Sequence, residues 1–272
     1  MKQEGIRKAV ILARGLGTRM RRQDTVAGID SAQTATADMG LKAMIPVGRP
    51  FLDYALSAFA DAGYSEVCVV IGPEHDVVRR YYTDTPLHRI RVTFAVQAEA
   101  RGTADAVLAA ADATEGEEFV VANSDNYYPV EVLHALRTLG EPGAVLFEHD
   151  ALVRNSNIPD ERVRAFAYGG VGKDGYLKDL VEKPDPSLAA QLRGRALVSM
   201  NCWRFSSEIF DACRNVPLSP RGEYELPMAI RVAVNAGMKL KVLSSRLGVL
   251  DLSCRADIPE VAERLKEVSV RL

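Results

Sequence analysis

Along the first 150 residues, short apolar runs alternate with longer segments whose apolar positions recur every three to four residues. The short runs are residues 8–13, 66–71, 91–96, 119–122 and 144–147, and their β-branched content predicts strands. Between them, residues 51–64 carry Leu52, Leu56 and Phe59 at helical spacing and close at Gly63, while 103–111 and 130–139 predict further helices. Such alternation predicts an α/β, Rossmann-like fold: a mainly parallel mixed sheet with helices on both faces. The apolar stripes themselves are accounted for as core.

After residue 150 the pattern loosens. Residues 163–172 and 177–181 predict a hairpin around Lys173, Asp174 and Gly175. A strand at 197–205, helices at 207–216 and 223–236, a strand at 239–244 and a last helix after Asp257 follow. There is no internal repeat and no Pro/Ser-rich linker, which predicts one folded unit over residues 1–272.

With 47% hydrophobic residues in 272, the chain can fill a core without covalent staples. Cys68, Cys202, Cys213 and Cys254 form no C-x-x-C pair and read as reduced thiols, not as a disulfide framework or zinc site. A net charge of -2 gives no footprint for nucleic acid, so small-molecule partners are expected. Within residues 1–13 the apolar run Ala9 to Ala13 is too short for a signal core or membrane span, which predicts a cytoplasmic protein with no membrane partner.

The first strand runs directly into Leu12-Ala13-Arg14-Gly15-Leu16-Gly17-Thr18-Arg19-Met20. Glycines let backbone N–H groups approach phosphate oxygens, and a following helix start adds partial positive charge. A structural turn explains an isolated G-x-G-T equally well. The turn is followed, however, by Lys42-Ala43-Met44-Ile45-Pro46-Val47-Gly48-Arg49-Pro50, and together the two segments resemble the signature of the sugar-1-phosphate nucleotidyltransferases. That family includes glucose-1-phosphate thymidylyltransferases and UTP-glucose-1-phosphate uridylyltransferases.

The resemblance continues in order nearly to the end of the chain. The segment from Gln97 to Ala104 is similar to the family's base-reading segment, Ser124-Asp125-Asn126 to its metal loop, and Val181-Glu182-Lys183-Pro184 to its sugar-phosphate lysine motif. Arg221 to Leu226 resembles its segment near the sugar, and Val249 to Leu252 its second metal carboxylate. Three departures stand out. Arg14 and Asn201 occupy positions where the family usually has glycine, and 22 residues intervene between Arg19 and Lys42 where the usual link is much shorter.

The resemblance implies a nucleotide-diphospho-sugar transferase fold, with nucleotide-binding residues 1–150 and sugar-binding residues 151–272. It implies transfer of a nucleotidyl group from a nucleoside triphosphate to a sugar 1-phosphate by Mg²⁺-assisted displacement. Ala13, Gly15, Gly17, Thr18, Gln97, Gly102 and Thr103 would bind the nucleotide, with Arg19, Lys42 and Lys183 as charged catalytic groups. Glu182, Asn201, Arg221 and Glu223 would face the sugar, and Asp125 and Asp251 the metal. The Gln97 amide, with a donor and an acceptor, favours UTP or dTTP, and Gly102 would leave room for a flat base. Pro184 is expected to hold Lys183 extended.

Two other readings compete: a nucleotide-sugar-dependent glycosyltransferase using Asp125, and a non-catalytic nucleotide-sugar sensor, invited by Arg14. A homo-oligomer is compatible with the sequence. The 20–41 insertion predicts a short helix capped by Asp30 or Ser31 and ended by Gly40, and is expected to act as a lid over the nucleotide, with an inert solvated insertion as the alternative. Its small apolar content predicts that it does not stay docked unaided.

Overall fold

The computed structural model describes residues 5–24 and 27–272; positions 1–4 of the N-terminal segment and 25–26 of the insertion lie outside the described residues. The strands are β1 (Lys8–Leu12), β2 (Glu66–Ile71), β3 (Arg91–Val96), β4 (Phe119–Asn123), β5 (Asn126–Tyr127), β6 (Gly143–Phe147), β7 (Ala167–Val171), β8 (Leu177–Val181), β9 (Leu197–Phe205), β10 (Lys241–Ser245) and β11 (Leu250–Asp251). The main sheet runs β10-β6-β9-β4-β1-β2-β3, with β7 and β8 branching from β9. Pairings among β1, β2, β3 and β4, and between β6 and β10, are parallel, whereas β9 is antiparallel to both its neighbours in the sheet. Strands from both halves of the chain therefore share one mixed sheet.

All five residues of β1 are buried. Ala9 and Ile11 join a core with Leu52, Leu56 and Phe59 on one face, while Val10 and Leu12 join Trp203, Phe205 and Leu226 on the other. The period-2 pattern of a strand covered on both sides is satisfied in this way. A third cluster, including Met20, Ile45, Phe51, Leu252 and Ile258, lies beneath the insertion.

The insertion forms the helix Ser31–Met39. Asp30 accepts the Gln33 N–H at 2.8 Å while Gln33 Oε1 accepts the Asp30 N–H at 3.1 Å, a reciprocal cap, and Gly40 ends the helix at φ 73°. The helix is packed and hydrogen-bonded against its surroundings. Polar bonds supply what its apolar content lacks: Arg21 donates to Met39 O at 2.8 Å, Gln33 to Pro46 O at 2.9 Å, and buried Arg255 pairs with Asp38 while donating to Met20 O at 2.9 Å.

Several expectations shift. A helix at Asp76–Asp84 was not foreseen, because only Val78 and Tyr82 of its residues are buried and so short a stripe is hidden among charges. The hairpin's first strand begins at Ala167 instead of 163, since Asp160–Arg164 forms a helical turn that buries Val163. The helix expected from Glu223 starts at Leu226, leaving Glu223 and Tyr224 in the preceding loop. Lys183 is left-handed, φ 44°, not extended; Pro184 disfavours the right-handed helical region for its predecessor, but it does not hold Lys183 in the extended one.

Candidate functional site

Parallel pairing sets Leu12, at the end of β1, beside Asn123, at the end of β4. The glycine turn and the Ser124-Asp125 loop therefore leave the sheet side by side at its carboxyl edge, where open α/β sheets place ligands. A cleft of about 340 Å³ opens there, lined by Ala13, Gly15, Thr18, Lys42, Gln97, Gly102, Thr103, Asp125, Asn201 and Glu223 among others. Arg14 also lines it, a buried side chain paired with Glu74 at 2.7 Å. Ten of the sixteen residues assigned from the sequence thus meet in one wall. Gly17, Arg19, Glu182, Lys183, Arg221 and Asp251 lie outside it.

The glycines divide by purpose. A Cβ on Gly15 would meet nothing within 4 Å, so its backbone is open towards the cleft. Gly17, at φ 62°, instead abuts Gly40, whose carbonyl oxygen would lie 2.3 Å from a Cβ; it locks the two ends of the insertion together. Gly102 makes room for the Tyr224 backbone, 2.4 Å from a hypothetical Cβ, a reason for glycine in the fold itself. Asn201 adopts φ 53°, a conformation that asparagine tolerates better than other side chains and one suited to a glycine position.

At the centre of the cleft Lys42 Nζ donates to Asp125 Oδ2 at 2.8 Å. Asp251 comes alongside through the small antiparallel pairing of β5 and β11, in which Asp251 faces Asn126 and the Leu252 N–H donates to Asp125 O at 2.8 Å. Asn126 donates to Asp251 Oδ1 at 2.9 Å. Oδ2 of Asp251 is buried and has no hydrogen-bond partner. Burial, and then the charge of Asp125, push the Asp251 carboxyl up to about 6, with Arg162 and a Ser253 hydrogen bond opposing.

These features suit a hard divalent cation. Two carboxylates sit at neighbouring strand ends, one with a buried oxygen that has only the Arg162 guanidinium, at 3.4 Å, beside it, and the other holds an ammonium where a cation belongs. Among the described residues no group of three or more His, Cys, Asp or Glu side chains forms a metal cage. Phosphate and water would have to complete the coordination, as is usual for Mg²⁺.

The Gln97 side chain is more constrained than its sequence implied. Its Nε2 donates to Gly102 O at 3.0 Å and to Asp105 Oδ2 at 2.8 Å. Both amide hydrogens are consumed, leaving only Oε1 to accept from a ligand. Thr103 Oγ1 accepts the Leu226 N–H at 2.8 Å and so is committed to starting the helix Leu226–Asn235.

Beyond the cleft, Glu182, Lys183, Arg221 and Glu225 form a second polar cluster. Lys183 Nζ lies 3.9 Å from Glu182, and Arg221 Nε donates to Glu225 at 2.8 Å. Burial raises the Glu182 carboxyl above its usual range, with Lys183 opposing the shift. Glu223 lines the cleft and lies 3.8 Å from Arg221, connecting the two groups. Arg19 is exposed at the surface.

Sequence reasoning missed Asn157 and Arg162. Asn157 bonds both the N–H and the carbonyl of Asp251 at 2.8 Å, and Arg162 Nη2 lies 3.4 Å from Asp251 Oδ2. Neither stands in a motif or near Asp251 in the chain, so no local signal marks them.

A UTP-glucose-1-phosphate uridylyltransferase (AglF) of Haloferax volcanii is 26% identical over 261 residues, covering 96% of this chain and 97% of that protein. A glucose-1-phosphate thymidylyltransferase of Streptomyces griseus is 26% identical over 235 residues, with 86% of this chain and 59% of that protein covered. The fold is shared with a solved UDP-glucose pyrophosphorylase complexed with UDP-glucose, at a TM-score of 0.75 and 18% identity over 97% of this chain and all of that one. The profile of the nucleotidyl transferase family matches residues 8–247, from the first residue of β1 to beyond β10, and the chain belongs to that family.

Proposed function

We propose that the protein transfers a nucleotidyl group from UTP or dTTP to a sugar 1-phosphate, releasing pyrophosphate. The observation that carries this reading is the Lys42–Asp125 pair, set beside the open backbone of Gly15 at the carboxyl ends of β1 and β4. A phosphate oxygen of the sugar 1-phosphate forms a bond to the α-phosphorus, and the bond from that phosphorus to the bridging oxygen of the pyrophosphate breaks. Both reactants are anions, so the protein's task is alignment and neutralisation of charge.

The backbone around Ala13 and Gly15, with Thr18, receives the triphosphate, and Gly17 holds that turn against the insertion. Lys42 neutralises the phosphates at the reacting centre, and Arg19 reaches the departing pyrophosphate from the rim. Asp125 and Asp251 would hold Mg²⁺, which screens the phosphate charge when bound. Gln97 Oε1 accepts the N3–H of a uracil or thymine, beside Gly102 and Thr103. Lys183 and Arg221 meet the sugar phosphate, while Glu182, Asn201 and Glu223 face sugar hydroxyls. A nucleoside triphosphate donor is consistent with a cytoplasmic location. Among the described residues, no helix is long and apolar enough to cross a membrane.

The test is pyrophosphate release measured for every common nucleoside triphosphate crossed with a series of sugar 1-phosphates, with and without Mg²⁺. Mg²⁺-dependent release with UTP or dTTP is expected. Binding of nucleotide with no turnover on any combination would overturn the reading.

A further inference from the structure

Behind the two candidate metal carboxylates lies an arginine that no sequence motif touches. Arg162 sits in the helical turn Asp160–Arg164, and its side chain is 17% exposed. Its guanidinium forks onto Asp257, Nη1 donating to Oδ2 at 3.1 Å and Nη2 to Oδ1 at 2.9 Å. Asp257 is itself fixed, because its Oδ2 accepts the backbone N–H groups of Ser253 and Cys254 at 2.9 and 2.8 Å in the turn that leaves β11. The guanidinium is thus clamped from its far side.

From that clamp the same Nη2 stands 3.4 Å from Asp251 Oδ2. This is the buried oxygen without a hydrogen-bond partner, and Arg162 Nε is likewise buried without one. The remaining groups of Asp251 are already engaged: Oδ1 by Asn126, the N–H and carbonyl by Asn157. A planar guanidinium offers a fixed fork to one carboxylate and a further N–H to a second, whereas a lysine ammonium has no such fork to set the orientation.

We propose that Arg162 is a positioning residue for the metal pair: anchored on Asp257, it holds the Asp251 carboxylate in the orientation that meets a divalent cation shared with Asp125. This rests on the reading of Asp125 and Asp251 as the Mg²⁺ carboxylates. Groups that orient metal-binding side chains without touching the metal typically contribute about 10- to 100-fold in metal affinity.

The experiment measures Mn²⁺ binding to the full chain without nucleotide, by electron paramagnetic resonance of the free ion, in wild type, Arg162→Met, Arg162→Lys and Asp251→Asn. Arg162→Met is expected to weaken Mn²⁺ binding about 10- to 100-fold, with Arg162→Lys recovering only part of the loss. Circular dichroism and thermal melting report folding, and Arg162→Lys carries the test if Arg162→Met does not fold. Mn²⁺ binding unchanged or tighter in the folded Arg162 variants, with Asp251→Asn weakened, overturns the positioning role alone. A lowered Tm with unchanged Mn²⁺ affinity does the same, reducing Arg162 to a structural bond. Unchanged binding in Asp251→Asn overturns the metal reading beneath it.

Discussion

Lys42 Nζ stands 2.8 Å from Asp125 Oδ2, so the cleft's ammonium and its accessible carboxylate neutralise each other before any ligand arrives. A cation that binds Asp125 must displace the lysine, and the freed lysine then faces the cleft where a triphosphate would lie. Lys42→Met is therefore expected to act in opposite directions on two measurements. With the competitor removed, Mn²⁺ alone should bind about fivefold more tightly, the equivalent of roughly 1 kcal/mol for a partly exposed pair. Turnover should fall by about 10²- to 10³-fold, as for other lost charge-stabilising contacts. Weaker Mn²⁺ binding in this variant would show that Lys42 supports the metal site instead of competing for it.

What could be read from the sequence, and what could not, follows from the range of each interaction. The alternation of strands and helices, the glycine turn and the Asp30 cap are local patterns, and they appear where residue spacing puts them. The meeting of Asp125 with Asp251 depends on a two-residue pairing between strands 125 residues apart, visible only through family resemblance. Arg162 and Asn157 were illegible because their partners lie far along the chain and an arginine or asparagine outside a motif has no signature. The fold's own reason for Gly102 was illegible for the same cause: Tyr224, which crowds it, is brought there by the tertiary fold.

Gln97 presents a carbonyl to the cleft because Asp105 and Gly102 O both demand its hydrogens. Gln97→Met keeps the length of the side chain and removes the acceptor that would meet the base. Uracil and thymine offer a donor at N3, cytosine an acceptor. Discrimination between UTP and CTP, measured as the ratio of kcat/KM values, is expected to fall by about tenfold or more, since a mispaired polar group in a closed site costs on the order of 1–3 kcal/mol. An unchanged ratio would remove Gln97 from base recognition.

His75 predicts how stability responds to acid. The Gly72 N–H donates to its Nδ1 at 3.2 Å, a bond that requires an unprotonated Nδ1, and burial lowers its pKa below 6.5, with Glu74 opposing and Arg14 and Arg21 adding to the shift. Because the folded value lies below the unfolded one, the stabilisation is complete above pH 6.5 and is lost as pH falls from there through the folded value. In urea unfolding at pH 7.5, 6.5 and 5.5, wild type should lose more stability on acidification than His75→Gln, by up to about 1.4 kcal/mol per pH unit. Parallel pH profiles for the two proteins would exclude His75 as the source.

The insertion helix supplies the last prediction. A lid must be free to leave, yet Ser31–Met39 is tied down by Arg255, which reaches from the far end of the chain to both Asp38 and Met20 O. The Arg255 side chain is 2% exposed, so these bonds are shielded from water and the helix is expected to stay fixed beside the cleft. Limited trypsin digestion, followed by mass spectrometry of cuts after Arg21 and Arg22, distinguishes a fixed helix from a lid. Wild type should be cut slowly, and at the same rate with or without UTP and Mg²⁺. Arg255→Met should be cut several-fold faster, because Asp38 and the Met20 carbonyl lose their shared donor. Asp30→Ala, which removes one cap bond worth about 1 kcal/mol, should have a smaller effect in the same direction. Protection of wild type on adding nucleotide would mean that the helix opens and closes after all, and that Arg255 is the latch it releases.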